Sequence, residues 1–177
     1  MRTYLELFNI PGVKRLVISA LPGRMAYGMI ALATFFFVQD KTGSISLAGI
    51  ATGVETITSS LTAGFRGNLI DKWGQTKPLS IFVPSWVALV VILSTVSTPT
   101  AIVVISGLIG LASPPVNLST RPLWRVLVGP ENLRTAYALE TTISSSTIVA
   151  GPVLATAIAI PISGSAALWA TATLMAI

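Results

Sequence analysis

The chain alternates long stretches that carry almost no charge with short clusters of Lys and Arg, and that alternation leaves lipid as the natural solvent for most of its residues. A bilayer core of about 30 Å is crossed by about 20 helical residues rising about 1.5 Å each. Five stretches reach that length, at residues 16–38, 45–65, 79–97, 101–120 and 136–160. A sixth, 166–177, rises only about 18 Å, too little to cross. The expected fold is therefore an all-α integral membrane bundle over residues 16–177, with an incomplete sixth helix, preceded by a cytoplasmic segment at residues 1–15.

Composition excludes several other classes. Only 10% of residues are charged, against roughly 25% in soluble domains, and the mean hydropathy is +0.81. Cys and His are absent, which removes disulfides, thiol catalysis, haem ligation and nearly all zinc arrangements. No cofactor, metal or catalytic residue is expected, because the spare polar residues are Ser and Thr without a base beside them. The net charge of +5 does not indicate nucleic acid, since the cations sit at the ends of apolar stretches, where membrane topology accounts for them. The first apolar stretch exceeds the 7 to 15 residues typical of a secretory core and reads as an uncleaved span.

Topology follows from the cations. If the spans alternate, Arg2, Lys14, Arg15, Arg66, Lys72, Lys77, Arg121, Arg125 and Arg134 fall on one side and Lys41 on the other. The basic side is expected to be cytoplasmic, with the N-terminus on it. Tyr4, Leu5, Leu7 and Phe8 beside Arg2 and Glu6 predict a short interfacial helix ahead of the first span.

Two charges fall inside spans. Arg24 lies in the first and Glu55 in the second, and an unpaired charge near mid-bilayer costs about 2.5–3.5 kcal/mol even on lenient scales. Because consecutive spans joined by a short connection are neighbours, an Arg24–Glu55 ion pair is expected. The alternatives are an Arg24 that snorkels to the inner interface and a Glu55 held as a structural hydrogen-bonded acid. Thr52, Glu55, Ser59 and Thr62 share one helical face, and Tyr27 follows Arg24 by about one turn. Arg24, Tyr27, Glu55 and Ser59 are the candidate substrate or proton site.

The connection after the second span reads Gly67-Asn68-Leu69-Ile70-Asp71-Lys72-Trp73-Gly74-Gln75-Thr76-Lys77. Its Gly67, Leu69, Asp71, Lys72, Gly74 and Lys77 are similar to the signature that the major facilitator superfamily carries between its second and third spans, on the same side of the membrane. Lys72 stands where Arg is commoner, and Gln75 and Thr76 occupy positions often basic in that family. The resemblance implies that this loop is a cytoplasmic gating latch between two six-helix halves, of which this chain would be the amino-terminal one.

Gly151-Pro152-Val153-Leu154-Ala155 resembles a shortened form of the Gly-Pro motif of the family's antiporters, and Gly151, Pro152 and Ala155 are candidate helix-packing residues. Glu140, Ser144, Thr147, Gly151 and Ala155 recur every three or four residues and make one small or polar face. The run from Pro114-Pro115 through Arg121-Pro122-Leu123-Trp124 to Glu140 resembles bacterial efflux-type members. The early fourth span, however, lacks the Arg that many antiporters of the family carry.

The resemblance implies a secondary active transporter of a bacterial plasma membrane that exports a small amphipathic or drug-like molecule by alternating access, with proton-coupled antiport as the coupling it leans towards. Its implied partners are the small-molecule substrate, the lipid bilayer and a second six-helix half absent from this chain. An importer of a sugar or other small metabolite and a non-transporting membrane assembly subunit stay open as alternatives.

Overall fold

A computed structural model describes residues 2–177, so Met1, with which the expected cytoplasmic segment begins, lies outside the described residues, as do the side chains of Arg2, Thr3, Leu5, Asn117 and Leu118. The described residues are helical throughout: α1 (Arg2–Asn9), α2 (Val13–Thr42), α3 (Ile45–Trp73), α4 (Thr76–Thr95), α5 (Pro99–Leu111), α6 (Val116–Leu127), a 3-10 turn (Pro130–Asn132), α7 (Leu133–Ala159) and α8 (Gly164–Ala176). Among the described residues three stretches are long and apolar enough to cross a membrane, Val13–Thr42, Thr76–Thr95 and Pro130–Ala159, and Pro99–Leu111 is a shorter apolar helix.

The hairpin between α2 and α3 shows how local chemistry sets the bundle. Gly43 ends α2 with φ 66°, a left-handed backbone that costs Gly nothing, and its N–H bonds the Gln39 carbonyl. Ser44 then caps α3 by accepting from Leu47 N–H at 3.1 Å. Ser163 caps α8 in the same way. The Asp40 carboxylate accepts from Gly164 N–H at 2.7 Å, which ties the far end of α2 to the start of α8 and satisfies an amide that helix geometry leaves orphaned.

Helix α2 is the centre of the bundle and packs against α8, α7 and α3, while α3 packs on α5 and α4 on α8. The main core gathers Phe37, Val38, Trp86, Val90, Leu93, Ile102, Ile109 and Leu168. A second cluster at the basic end joins Leu7, Val13, Leu16, Trp124, Val128 and Ala136. Leu7 is thus buried inside the protein while Tyr4 and Glu6 of the same short helix are exposed. Ile57, Leu61, Phe65, Ile148, Val149 and Val153 point outward, the arrangement expected where lipid or another apolar surface is the surroundings.

Two expectations about helix boundaries change. The stretch expected as a continuous span over 101–120 is broken: α5 stops at Leu111, and α6 starts at Val116. Pro114 and Pro115 lack the N–H that would continue the ladder and push the residues before them out of helical geometry. The connection after the second span is mostly helix. Because α3 runs on to Trp73, only Gly74 and Gln75 separate it from α4, and Gly74 makes the reversal at φ 70°.

Candidate functional site

The register of the α2–α3 hairpin decides which polar groups meet. In an antiparallel pair, residues equidistant from the turn face each other. Thr34 lies nine residues before Gly43 and Glu55 eleven after Ser44, and the Thr34 hydroxyl donates to Glu55 Oε2 at 3.1 Å. Tyr27 and Ser59 are similarly matched, with their hydroxyls 3.3 Å apart. Arg24 sits eight residues further from the turn than Glu55, a difference in depth of about 12 Å. The expected Arg24–Glu55 pair therefore does not form.

Tyr27, Glu55 and Ser59 line one cavity of about 200 Å³, together with Thr56, Ser60, Gly110 and Ser113. Glu55 is 5% exposed and has no cation within ion-pairing distance among the described residues. The floor is tight, because α5 approaches α3 where glycine leaves room: a Cβ at Gly107 would lie 3.2 Å from Val54, and Thr58 Oγ1 donates to the Gly107 carbonyl at 3.0 Å. Three of the four candidate substrate-site residues thus share a cavity.

Beside that cavity stands Arg66, placed by topology among the cytoplasmic cations but buried in the structure. Its guanidinium donates to the Ser113 carbonyl, in the break between α5 and α6, and to the carbonyl and hydroxyl of Ser59. The proline break leaves the Ser113 carbonyl between α5 and α6, and Arg66 supplies it a donor from the neighbouring helix. Nothing in the local sequence distinguishes Arg66 from a loop cation; Pro114-Pro115, next to Ser113, marks the helix break to which it donates.

Arg24 belongs to a different polar cluster. Its Nη2 pairs with Glu140 Oε1 and donates to Thr120 Oγ1 at 2.8 Å, while Thr120 donates to Glu140 at 2.6 Å. The other carboxylate oxygen, Glu140 Oε2, accepts from Trp124 Nε1 at 2.8 Å. Arg24, Thr120, Trp124 and Glu140 are all buried. Desolvation of both charges is costly, and pairing with two further donors on the carboxylate is what makes it tolerable. Sequence reading placed Glu140 on a polar face of α7 without finding its partner, and missed Thr120 and Trp124, which α6 brings in only because the proline break redirects the chain.

Gly151 lies where α7 crosses α2. A Cβ on Gly151 would stand 2.5 Å from the Gly28 carbonyl carbon, and one on Gly28 2.6 Å from the Thr147 carbonyl oxygen, so backbones meet where side chains would normally intervene. Pro152 follows inside α7 without ending it, and Ala155 is fully buried one turn on. Of the motif after the second span, Gly67 and Leu69 are half-buried on α3, whereas Asp71, Lys72, Gly74 and Lys77 are exposed. Asp71 makes no ion pair among the described residues.

No family model and no solved structure matches the chain. The chain is similar to the uncharacterized MFS-type transporter y4rN of Sinorhizobium fredii, at 29% identity over 158 residues, which cover 86% of this chain and 39% of that protein. The chain therefore spans about two fifths of the length of the curated relative it matches. That likeness, over a chain of apolar helices, supports membership of the major facilitator superfamily.

Proposed function

We propose that the chain is the amino-terminal six-helix portion of a secondary active transporter, with α5 and α6 together making its fourth span. The transporter moves a small amphipathic molecule outward by alternating access between two halves, in exchange for protons. The relative's description as an MFS-type transporter supports the transport role, and the polar cavity between α2, α3 and α5 gives it a place to act. One observation carries the coupling: Glu55 is a buried carboxylate on the cavity wall with a hydroxyl beside it and, among the described residues, no cation in ion-pairing reach, an arrangement that suits a group able to gain and lose a proton during a cycle. The Gly67 to Lys77 segment is its cytoplasmic latch, in which Asp71 finds its partner on the other half.

The test is transport by the complete protein in proteoliposomes under an imposed pH gradient. Wild type is expected to drive uphill movement of an amphipathic substrate. Glu55→Gln, which keeps the shape and can still accept from Thr34, is expected to lose gradient-driven transport while retaining substrate exchange without a gradient. Equal gradient-driven transport by both proteins would overturn the coupling role, and absence of any flux across a panel of amphipathic compounds would overturn the export reading.

A further inference from the structure

The short helix α6 carries Arg121 and Arg125 four residues apart, one turn on the same face. Both are exposed, and with Pro122 and Tyr137 they line an open cleft of about 480 Å³ between α6 and the start of α7. Neither guanidinium has a carboxylate within 4.0 Å among the described residues. The acids nearest in sequence are occupied or remote in role: Glu140 is consumed on the buried side by Arg24, Thr120 and Trp124, and the exposed Glu131 accepts from Asn132. Two like charges a turn apart repel, and an anion bridging them removes that penalty.

Tyr137 makes the cleft specific for an oxyanion. Arg125 Nε donates to the Tyr137 hydroxyl at 3.1 Å, which uses a lone pair of the phenol and leaves its proton free to donate. The same bond orients the guanidinium plane, and among the described residues it is the hydrogen bond the Arg125 side chain makes. The cleft wall thus carries donors from two guanidinium groups and one phenol, the groups that phosphate oxygens accept from.

The surroundings favour a phosphate that arrives on a lipid. Pro122 and Val126, on the same two turns of α6, are exposed, Val126 by 82%, and acyl chains cover such groups where water does not. Arg134 is also exposed on the first turn of α7, so the cleft lies in a local excess of positive charge of the kind that attracts anionic headgroups. We propose that Arg121, Arg125 and Tyr137 form a binding site for the phosphodiester of an anionic glycerophospholipid in the leaflet at the basic end of the bundle.

The experiment is native mass spectrometry and thermal unfolding of the full chain in neutral detergent, titrated separately with phosphatidylglycerol, phosphatidylcholine and inorganic phosphate. Saturable retention of phosphatidylglycerol with a raised melting temperature is expected, without comparable effects from the other two. The double variant Arg121→Gln, Arg125→Gln is expected to weaken phosphatidylglycerol binding about thirtyfold, with an unchanged melting temperature in lipid-free detergent because neither side chain is buried. Tyr137→Phe is expected to weaken it by a smaller factor. The proposal fails if the double variant binds phosphatidylglycerol like wild type, if phosphatidylcholine is retained equally well, or if inorganic phosphate competes at similar concentration, which would mark a soluble-anion site.

Discussion

The Arg24 guanidinium and the Glu140 carboxylate, 116 positions apart in the chain, form a buried ion pair that joins α2 to α7. Thr120 and Trp124 of α6 complete it from the third side. Removing one member leaves the other charge buried without compensation, so Arg24→Met and Glu140→Leu are each expected to cost about 3–5 kcal/mol. The double variant removes both charges and is expected to cost much less than the sum. Denaturant unfolding in detergent measures all three, and additive losses would mean that the two side chains do not act as a pair.

The crossing of α2 and α7 makes a second expectation about size alone. Gly151→Val sets its Cβ within 2.5 Å of the Gly28 backbone, so the helices must separate, at a cost of about 1–3 kcal/mol or more. Gly49→Ala is the contrasting case, because nothing lies within 4 Å of a Cβ there and alanine gains up to about 1 kcal/mol in a helix. A lower melting temperature for the first variant with an equal or higher one for the second is the expected outcome. Equal losses at both positions would show that glycine flexibility matters more than the close approach.

The bond from Arg66 to the Ser113 carbonyl ties α3 to the break between α5 and α6. Arg66→Met keeps a long apolar stem but leaves that buried acceptor without its charged donor, a loss of about 1.5–3 kcal/mol. Arg66→Lys is expected to recover only part of it, since one ammonium cannot serve both Ser113 and Ser59 with the fork that the guanidinium provides. Hydrogen exchange at residues 107–119, faster in Arg66→Met than in wild type, localises the effect to the break. Uniformly faster exchange over the whole chain would instead assign Arg66 a global packing role.

What the sequence made legible was whatever a length count or a local rule governs. A length count against bilayer thickness picks out apolar stretches, and three of the described ones are long and apolar enough to cross, while Gly43 and Ser44 are residue types that end one helix and cap the next. The pairing inside that hairpin was readable in principle. Counting from the turn brings Thr34 to Glu55, whereas the adjacency of consecutive spans alone suggests Arg24, which lies eight residues further from the turn than Glu55. Contacts such as Arg24–Glu140 were not legible, since they depend on how α6 is redirected after Pro114-Pro115 and on which face of α7 turns inward, and both are settled by tertiary packing. The Gly67 to Lys77 segment is legible as a motif, but its charges read as a loop where the structure has the end of α3, a two-residue reversal and the start of α4.

Asp71 offers a way to separate function from folding. It sits in the last turn of α3, where the helix dipole presents partial negative charge, it is exposed, and no cation pairs with it among the described residues. A carboxylate in that position is slightly unfavourable, by about 0.3–1 kcal/mol. Asp71→Asn is therefore expected to leave the stability of this chain unchanged or to raise it slightly. If the carboxylate is the cytoplasmic latch of a larger transporter, the same substitution is expected to lower transport by the complete protein by about tenfold, the worth of one charge-assisted contact of about 1.4 kcal/mol. Measuring both on the same variant is decisive: a lowered melting temperature would mean that Asp71 has a structural partner within this chain, and unchanged transport would leave the latch without its acid.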